Sequence, residues 1–85
     1  MMKFKDCVPE KSFWVNHGPI LKNVAELPSA LRKMGDKTFQ HHVSPQKNDF
    51  AKWIREVFGE KNLAEALAKA KNKENMIRAI EYSLR

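Results

Sequence analysis

The regular apolar pattern of residues 48–59 constrains the fold more than any other feature of this chain. Its large apolar side chains recur at the i, i+3, i+4, i+7, i+8 spacing of an amphipathic helix; they are Phe50, Trp53, Ile54, Val57 and Phe58. Asn48 is a residue type that caps helix N-termini, Asp49 complements the helix dipole, and Gly59 suits a helix C-terminus. The pattern therefore predicts the core helix of a folded domain.

A first, shorter helix is predicted well before the core helix. Asn23 and Glu26 have the spacing of a capping box, and Gly35 stands where a C-terminal glycine is common. The apolar positions between them are Val24, Leu27, Leu31 and Met34. Pro28 leaves two alternatives open: the helix bends near its first turn, or it begins at Leu27.

Three more helices follow from capping residues and apolar spacing. Asp36 is the expected cap of a second helix, which continues through Val43 and is ended by Ser44-Pro45. The fourth helix is expected to begin at Glu60 or Asn62, and Asn72 is the expected cap of the fifth. The predicted core-facing residues of these last two helices are Leu63, Leu67, Ala70, Met76, Ile77, Ile80 and Leu84. Two ion pairs at i, i+4 spacing mark the solvent side, Glu74 with Arg78 and Glu81 with Arg85.

Residues 12–22 predict a short β-hairpin. Phe13-Trp14-Val15 suits a strand, residues 16–19 have turn chemistry, and Ile20-Leu21-Lys22 suits a returning strand. An isolated hairpin is only marginally stable in water, so Phe13 or Trp14 should pack onto the helices. The predicted fold is mainly α, a compact bundle of four to five short helices with a small N-terminal β-hairpin. Residues 1–11 are predicted to be a loose lead-in, and residues 12–85 a single domain.

Length and composition favour one small domain in a reducing compartment. The chain has 85 residues, of which 42% are hydrophobic, enough for one modest core. No apolar run approaches the length of a membrane span, and the N-terminus lacks the apolar region of a secretory signal. Cys7 is the only cysteine, so no intramolecular disulfide can form. These features predict a cytoplasmic protein.

The candidate catalytic and metal-ligating residues do not form a recognisable set. His41 and His42 are adjacent, so on a helix they point about 100° apart and cannot easily share a metal ion. Cys7 stands beside Asp6, an acidic neighbour that disfavours the thiolate, and no serine lies in a nucleophile elbow. We therefore expect no catalytic residues, no metal and no cofactor.

A structural role is predicted for the residues around the core helix cap. One histidine of the adjacent pair, assigned to His42, should pack beneath the Asn48-Asp49 cap, while the other is exposed. With Phe50 and Trp53 these residues form the predicted structural motif.

The basic balance of the chain makes nucleic acid a possible partner. Sixteen basic residues against ten acidic ones give a net charge of +6. Two groups around predicted turns could contact phosphates: Arg32, Lys33 and Lys37, and then Lys69, Lys71 and Lys73. Against this interpretation, cations are common at helix ends, and the aromatic residues are not interleaved with lysines as stacking platforms would be.

The central segment resembles a family of small prokaryotic domains of uncharacterised function, found alone or attached to other modules. The shared pattern is His-His-Val at 41–43 followed by Asn-Asp-Phe-x-x-Trp-Ile-x-x-Val-x-Gly at 48–59 and Leu-Ala at 63–64. An aromatic strand, matched at residues 13–16, and a leucine-containing helix, matched at 24–34, extend the resemblance over residues 12–84. The resemblance implies no known reaction or ligand, so it assigns no functional residues.

The sequence favours a non-catalytic interaction module that binds another protein, because a domain without a catalytic set acts through its surface. The alternative is a basic nucleic-acid-binding protein that contacts phosphates through its Lys and Arg clusters. A metal or small-molecule site ranks third, and no small-molecule ligand is expected.

Overall fold

Short helices and two small strand pairs make up the part of the chain that the structure describes, residues 5–84 of a computed structural model. Residues 1–4 of the predicted lead-in and Arg85 of a predicted ion pair lie outside it. The elements are β1 (Phe13–Trp14), β2 (Ile20–Leu21), α1 (Leu27–Lys33), α2 (Asp36–His42), β3 (Val43–Ser44), β4 (Lys47–Asn48), α3 (Asp49–Phe58), α4 (Lys61–Ala70) and α5 (Lys73–Ser83). Single 3-10 turns cover Pro9–Lys11 and Val24–Glu26. The predicted mainly helical fold with an N-terminal hairpin is confirmed.

One core joins the hairpin to the helices. α3 packs on α4, α4 on α5, and α5 on α1, so the last helix lies between the first and the fourth. The most completely buried large side chains come from these helices and the turn before α1; they are Phe50, Leu27, Leu31, Ile54, Leu67, Met76, Ile80 and Val24. Phe13 and Leu21 add the inner face of the hairpin to the same core. None of the helices within residues 5–84 is long and apolar enough to cross a membrane.

The segment before α1 resolves the alternatives left open by Pro28. The Asn23 side chain accepts a hydrogen bond from the Ala25 amide, and Glu26 accepts one from the Lys22 amide. Val24–Glu26 forms a 3-10 turn, and the α-helix itself begins at Leu27. Pro28 then lies in the first helical turn, where its missing amide proton breaks no hydrogen bond.

Between α1 and α2, the predicted N-cap is wrong by one residue, and the glycine after α1 lacks the left-handed conformation of a C-terminal glycine. Gly35 has φ −75° and ψ 169°, an extended conformation, and serves as the N-cap of α2 instead of ending α1 in a left-handed conformation. Asp36 is the first residue of α2 and makes no capping hydrogen bond. The physical reason is that Met34 already leaves α1 in an extended conformation, so no left-handed residue is needed.

A second strand pair follows α2 where the sequence predicted the end of a helix. α2 ends at His42, and Val43 pairs with Asn48 while Ser44 pairs with Lys47. The helix does end before Ser44-Pro45. The chain then reverses direction, which places Asn48 at the start of α3. Two-residue strands are too short to show an alternating pattern.

The described part of the lead-in is fastened to the domain. The Cys7 amide donates to the Lys22 carbonyl at 2.8 Å, alongside β2. The Trp53 indole donates to the Lys11 carbonyl at 2.7 Å. These bonds tie the lead-in to the hairpin and to the middle of α3.

Lys71, which ends α4, is held in a conformation that favours glycine. Its φ is 71° and its ψ −23°, in the left-handed region that costs a non-glycine residue about 1–2 kcal/mol. Replacing Lys71 with glycine should therefore raise the free energy of unfolding by about 1 kcal/mol, as chemical denaturation would measure. Lys69→Gly is the matched control inside α4 and should lower stability by a similar amount. A Lys71→Gly protein less stable than the wild type would contradict this assignment.

Candidate functional site

The residues considered for catalysis or metal binding form no ligand set in the described part of the chain. Within residues 5–84, no three His, Cys, Asp or Glu side chains lie close enough to hold a metal ion. Cys7 is half-buried as a free thiol, and His17 lies on the hairpin turn. The expected absence of an active site, a metal and a cofactor stays a prediction.

Two of the six cations named as nucleic-acid contacts are engaged by carboxylates from other helices. Arg32 of α1 forms an ion pair with Glu81 of α5. Lys73, at the start of α5, donates to the Met34 carbonyl at 2.9 Å and lies 3.4 Å from the Asp36 carboxylate. Arg32 and Lys73 thus line one groove between α1 and α5, but their charges are balanced by acidic partners.

The other four cations point to different parts of the surface. Lys33 lines a groove beside the hairpin turn, Lys69 a groove between α4 and α5, and Lys71 a groove beside β3 and β4. Lys37 is exposed on α2. Among the described residues, the cations of the two basic groups thus line several different grooves, and their role as phosphate contacts stays a prediction.

His42, at the end of α2, links the hairpin turn to the start of α3. Its side chain is buried, and its Nε2 accepts a hydrogen bond of 3.0 Å from the Asn16 amide of the hairpin turn. Its Nδ1 lies 3.0 Å from the Asp49 carboxylate at the start of α3. His41 is exposed, so one histidine packs beneath the cap while the other faces solvent.

The ring of His42 is enclosed by aromatic side chains. Its centroid lies 4.9 Å from that of Phe13 and 5.2 Å from that of Phe50. Phe13 also stacks on Phe50 at 4.8 Å and meets Trp53 edge-on at 5.5 Å. This aromatic cluster fixes the inner face of the hairpin against α2 and α3.

The outer face of the hairpin presents two large apolar side chains to solvent. Trp14 is 71% exposed and Ile20 46% exposed. They are opposite each other in the β1–β2 register, while the neighbouring pair, Phe13 and Leu21, is buried. Alternation along a strand places successive side chains on opposite faces, so burying Phe13 necessarily turns Trp14 outward. The sequence predicted that one of the two aromatic residues packs inward without deciding which.

Comparisons with protein families, curated proteins and solved structures give no match for this chain. Its function has to follow from its own residues and their arrangement.

Proposed function

We propose that this chain is a small non-catalytic interaction module that binds another protein through the outer face of the β1–β2 hairpin. The exposed, cross-strand pair of Trp14 and Ile20 carries the proposal. Directly opposite side chains in an antiparallel pair lie about 4.5–5.5 Å apart at their β-carbons, so the two residues form one apolar patch. Tryptophan is also the residue type most enriched among those that dominate protein–protein binding.

The position of Trp14 supports a role outside the core. Among the other large aromatic side chains of the hairpin and of α3, Phe13, Phe50 and Trp53 are buried, and Phe58 is half-buried against the same core. Single exposed apolar residues are common on proteins, but an exposed tryptophan beside an exposed isoleucine forms a larger patch. Covering the Trp14 ring in an interface would remove a large apolar area from water.

The hairpin presents this patch on a fixed support. Its inner face is anchored by Phe13 and Leu21, and its turn is held by the hydrogen bond from Asn16 to His42. A partner therefore meets side chains on an ordered backbone, which lowers the entropic cost of association.

Nucleic-acid binding is the alternative with less support. Arg32 and Lys73 are paired with carboxylates, and the remaining named cations face different grooves. A test of that alternative by replacing Lys69, Lys71 and Lys73 together would also remove the bond from Lys73 to Met34. Lys69→Gln with Lys71→Gln is the cleaner combination, because neither side chain makes such a contact within residues 5–84.

Affinity capture with matched variants tests the proposal. The immobilised chain would be exposed to nuclease-treated lysate of its own host, using wild type, Trp14→Ser and Tyr82→Ser. Tyr82 on α5 is 74% exposed and so controls for the loss of an exposed aromatic side chain elsewhere. Wild type and Tyr82→Ser should retain the same partner, whereas Trp14→Ser should weaken its binding by roughly thirty-fold, the size expected for a central interface residue.

The thermal stability of Trp14→Ser should stay within about 0.5 kcal/mol of wild type, since the side chain is exposed. A partner retained by Trp14→Ser, or lost from Tyr82→Ser instead, would contradict binding through the hairpin.

A further inference from the structure

We propose that His42 is the positioning residue of the binding hairpin, and that protonation of its Nε2 releases the hairpin turn. The consequence for binding rests on the proposed function, since Trp14 lies two residues before Asn16. The observation behind it is the buried bridge from the Asn16 amide to His42 and on to the Asp49 carboxylate.

The two hydrogen bonds fix the tautomer of His42. A backbone N–H can only donate, so Nε2, which lies 3.0 Å from the Asn16 nitrogen, must be the unprotonated acceptor. Nδ1 then carries the proton and donates it to Asp49 at 3.0 Å. The structure thus requires a neutral imidazole with its proton on Nδ1.

Protonation removes the acceptor that holds the turn. An imidazolium carries a proton on both nitrogens, so its Nε2–H would face the Asn16 N–H across 3.0 Å. The ring itself is confined by Phe13 and Phe50 and stays bonded to Asp49 through Nδ1. The part that can move is therefore the turn.

Besides the bond to His42, the turn is held at its start by Val15, whose side chain is buried in the core. Thr38 donates to the Asn16 carbonyl over a long 3.5 Å. The bonds within the turn, from Gly18 to Val15 at 2.9 Å and from Val15 to Pro19 at 3.1 Å, keep its shape but do not fasten it to α2. Residues 16–19 can therefore leave His42 while Val15 and the inner face of the hairpin stay packed.

The charged groups around His42 act in opposite directions. Asp49 carries the charge opposite to that of an imidazolium, and Lys47 lies 3.3 Å from the same carboxylate oxygen. The perpendicular ring of His41, with its centroid 4.8 Å away, opposes the imidazolium when it is itself charged. The side chains that meet the ring from the hairpin and from the interior of α3 are Phe13 and Phe50, which carry no charge. A pH titration of the bridge should include the interval between about pH 5 and 8, where an unperturbed histidine changes charge.

Partner binding should weaken in acid, because the apparent affinity falls with the fraction of molecules whose hairpin is positioned. The change should reverse when the pH is raised again.

Nuclear magnetic resonance of the isotope-labelled chain tests the proposal without any partner. Imidazole nitrogen spectra at high pH should show His42 protonated on Nδ1. As the pH falls, the Asn16 amide proton should shift with the titration of His42, and its protection from hydrogen exchange should drop by roughly five- to ten-fold.

Three variants separate positioning from simple structural loss. In His42→Gln the side-chain carbonyl can take the place of Nε2 but does not titrate, so the Asn16 amide should stay protected throughout. Asp49→Asn removes the counter-ion of the imidazolium. The pH at which the Asn16 amide shifts and loses its protection should therefore be lower than in wild type. His41→Gln is the matched control and should leave the shift of the Asn16 amide in place.

The proposal would be overturned if His42 were protonated on Nε2 at high pH. It would also be overturned if the Asn16 amide shift did not change as His42 titrates. If His42→Gln does not fold, the Asp49→Asn result still tests whether the Asn16 amide follows the protonation of His42. Because none of these measurements uses a partner, a failure here is distinct from a failure of the capture experiment.

Discussion

Replacing Trp53 with alanine is expected to lower the free energy of unfolding by about 3–5 kcal/mol, the usual cost of removing a buried aromatic side chain. Trp53 is buried in α3, and its rings meet Phe13 and Phe58 edge-on, with centroids 5.5 and 5.0 Å away. Its indole N–H also donates to the Lys11 carbonyl, the bond that ties the lead-in to the helix. The total free energy of unfolding of a small domain is only about 5–15 kcal/mol, so this single change removes much of the stability.

Thermal unfolding would measure the effect. For a domain of this size each kcal/mol corresponds to about 4–8 °C, so the midpoint should fall by more than about 12 °C. Trp53→Phe retains an aromatic ring and loses the bond to Lys11, and it should have a smaller effect. Trp14→Ala, at an exposed site, should leave the midpoint nearly unchanged. A Trp53→Ala protein that melts near the wild-type temperature would show that the core is assigned wrongly.

α3 shows how far local pattern determines structure here. Its cap at Asn48, its buried residues Phe50, Trp53 and Ile54, and its left-handed end at Gly59 were all predicted. Each of these features depends on residues within a few positions of one another, which is the range over which helical periodicity and capping act.

The contacts that join distant segments could not be predicted in the same way. The bond from Asn16 to His42 spans 26 residues, and the bond from Lys73 to the Met34 carbonyl spans 39. Local periodicity cannot predict hydrogen-bond partners that are this far apart in the sequence. The ion pair of Arg32 with Glu81 is of the same kind, because the two residues meet only after α1 has packed on α5.

The hairpin lies between these cases. Its position and turn followed from residue types, but a one-residue change of register exchanges the two faces of a strand. Whether Phe13 or Trp14 packs inward is decided by the pocket that His42, Phe50 and Trp53 form on α2 and α3. The candidate binding surface is the face left outside by that choice.

Asn48 combines a predicted bond with an unpredicted one, so it is expected to be the most sensitive polar residue of the fold. Its side-chain oxygen accepts from the Ala51 amide at 3.0 Å and caps α3. Its side-chain nitrogen donates to the Leu67 carbonyl at 3.2 Å. Leu67 is among the last four residues of α4, whose carbonyls have no partner within an ideal helix. One amide group therefore serves the start of α3 and the end of α4.

Asn48→Ala should lower the free energy of unfolding by about 2–3 kcal/mol, since it removes a cap and leaves a part-buried carbonyl without its donor. Asn48→Ser separates the two effects, because serine caps well but cannot reach Leu67. It should cost only about 1 kcal/mol, the net contribution of one hydrogen bond. Chemical denaturation of the three proteins gives the comparison. If the serine protein matched wild type, the bond to Leu67 would contribute nothing; if it matched alanine, the cap would contribute nothing. We expect it to fall between them, because the two bonds use different atoms of the same side chain.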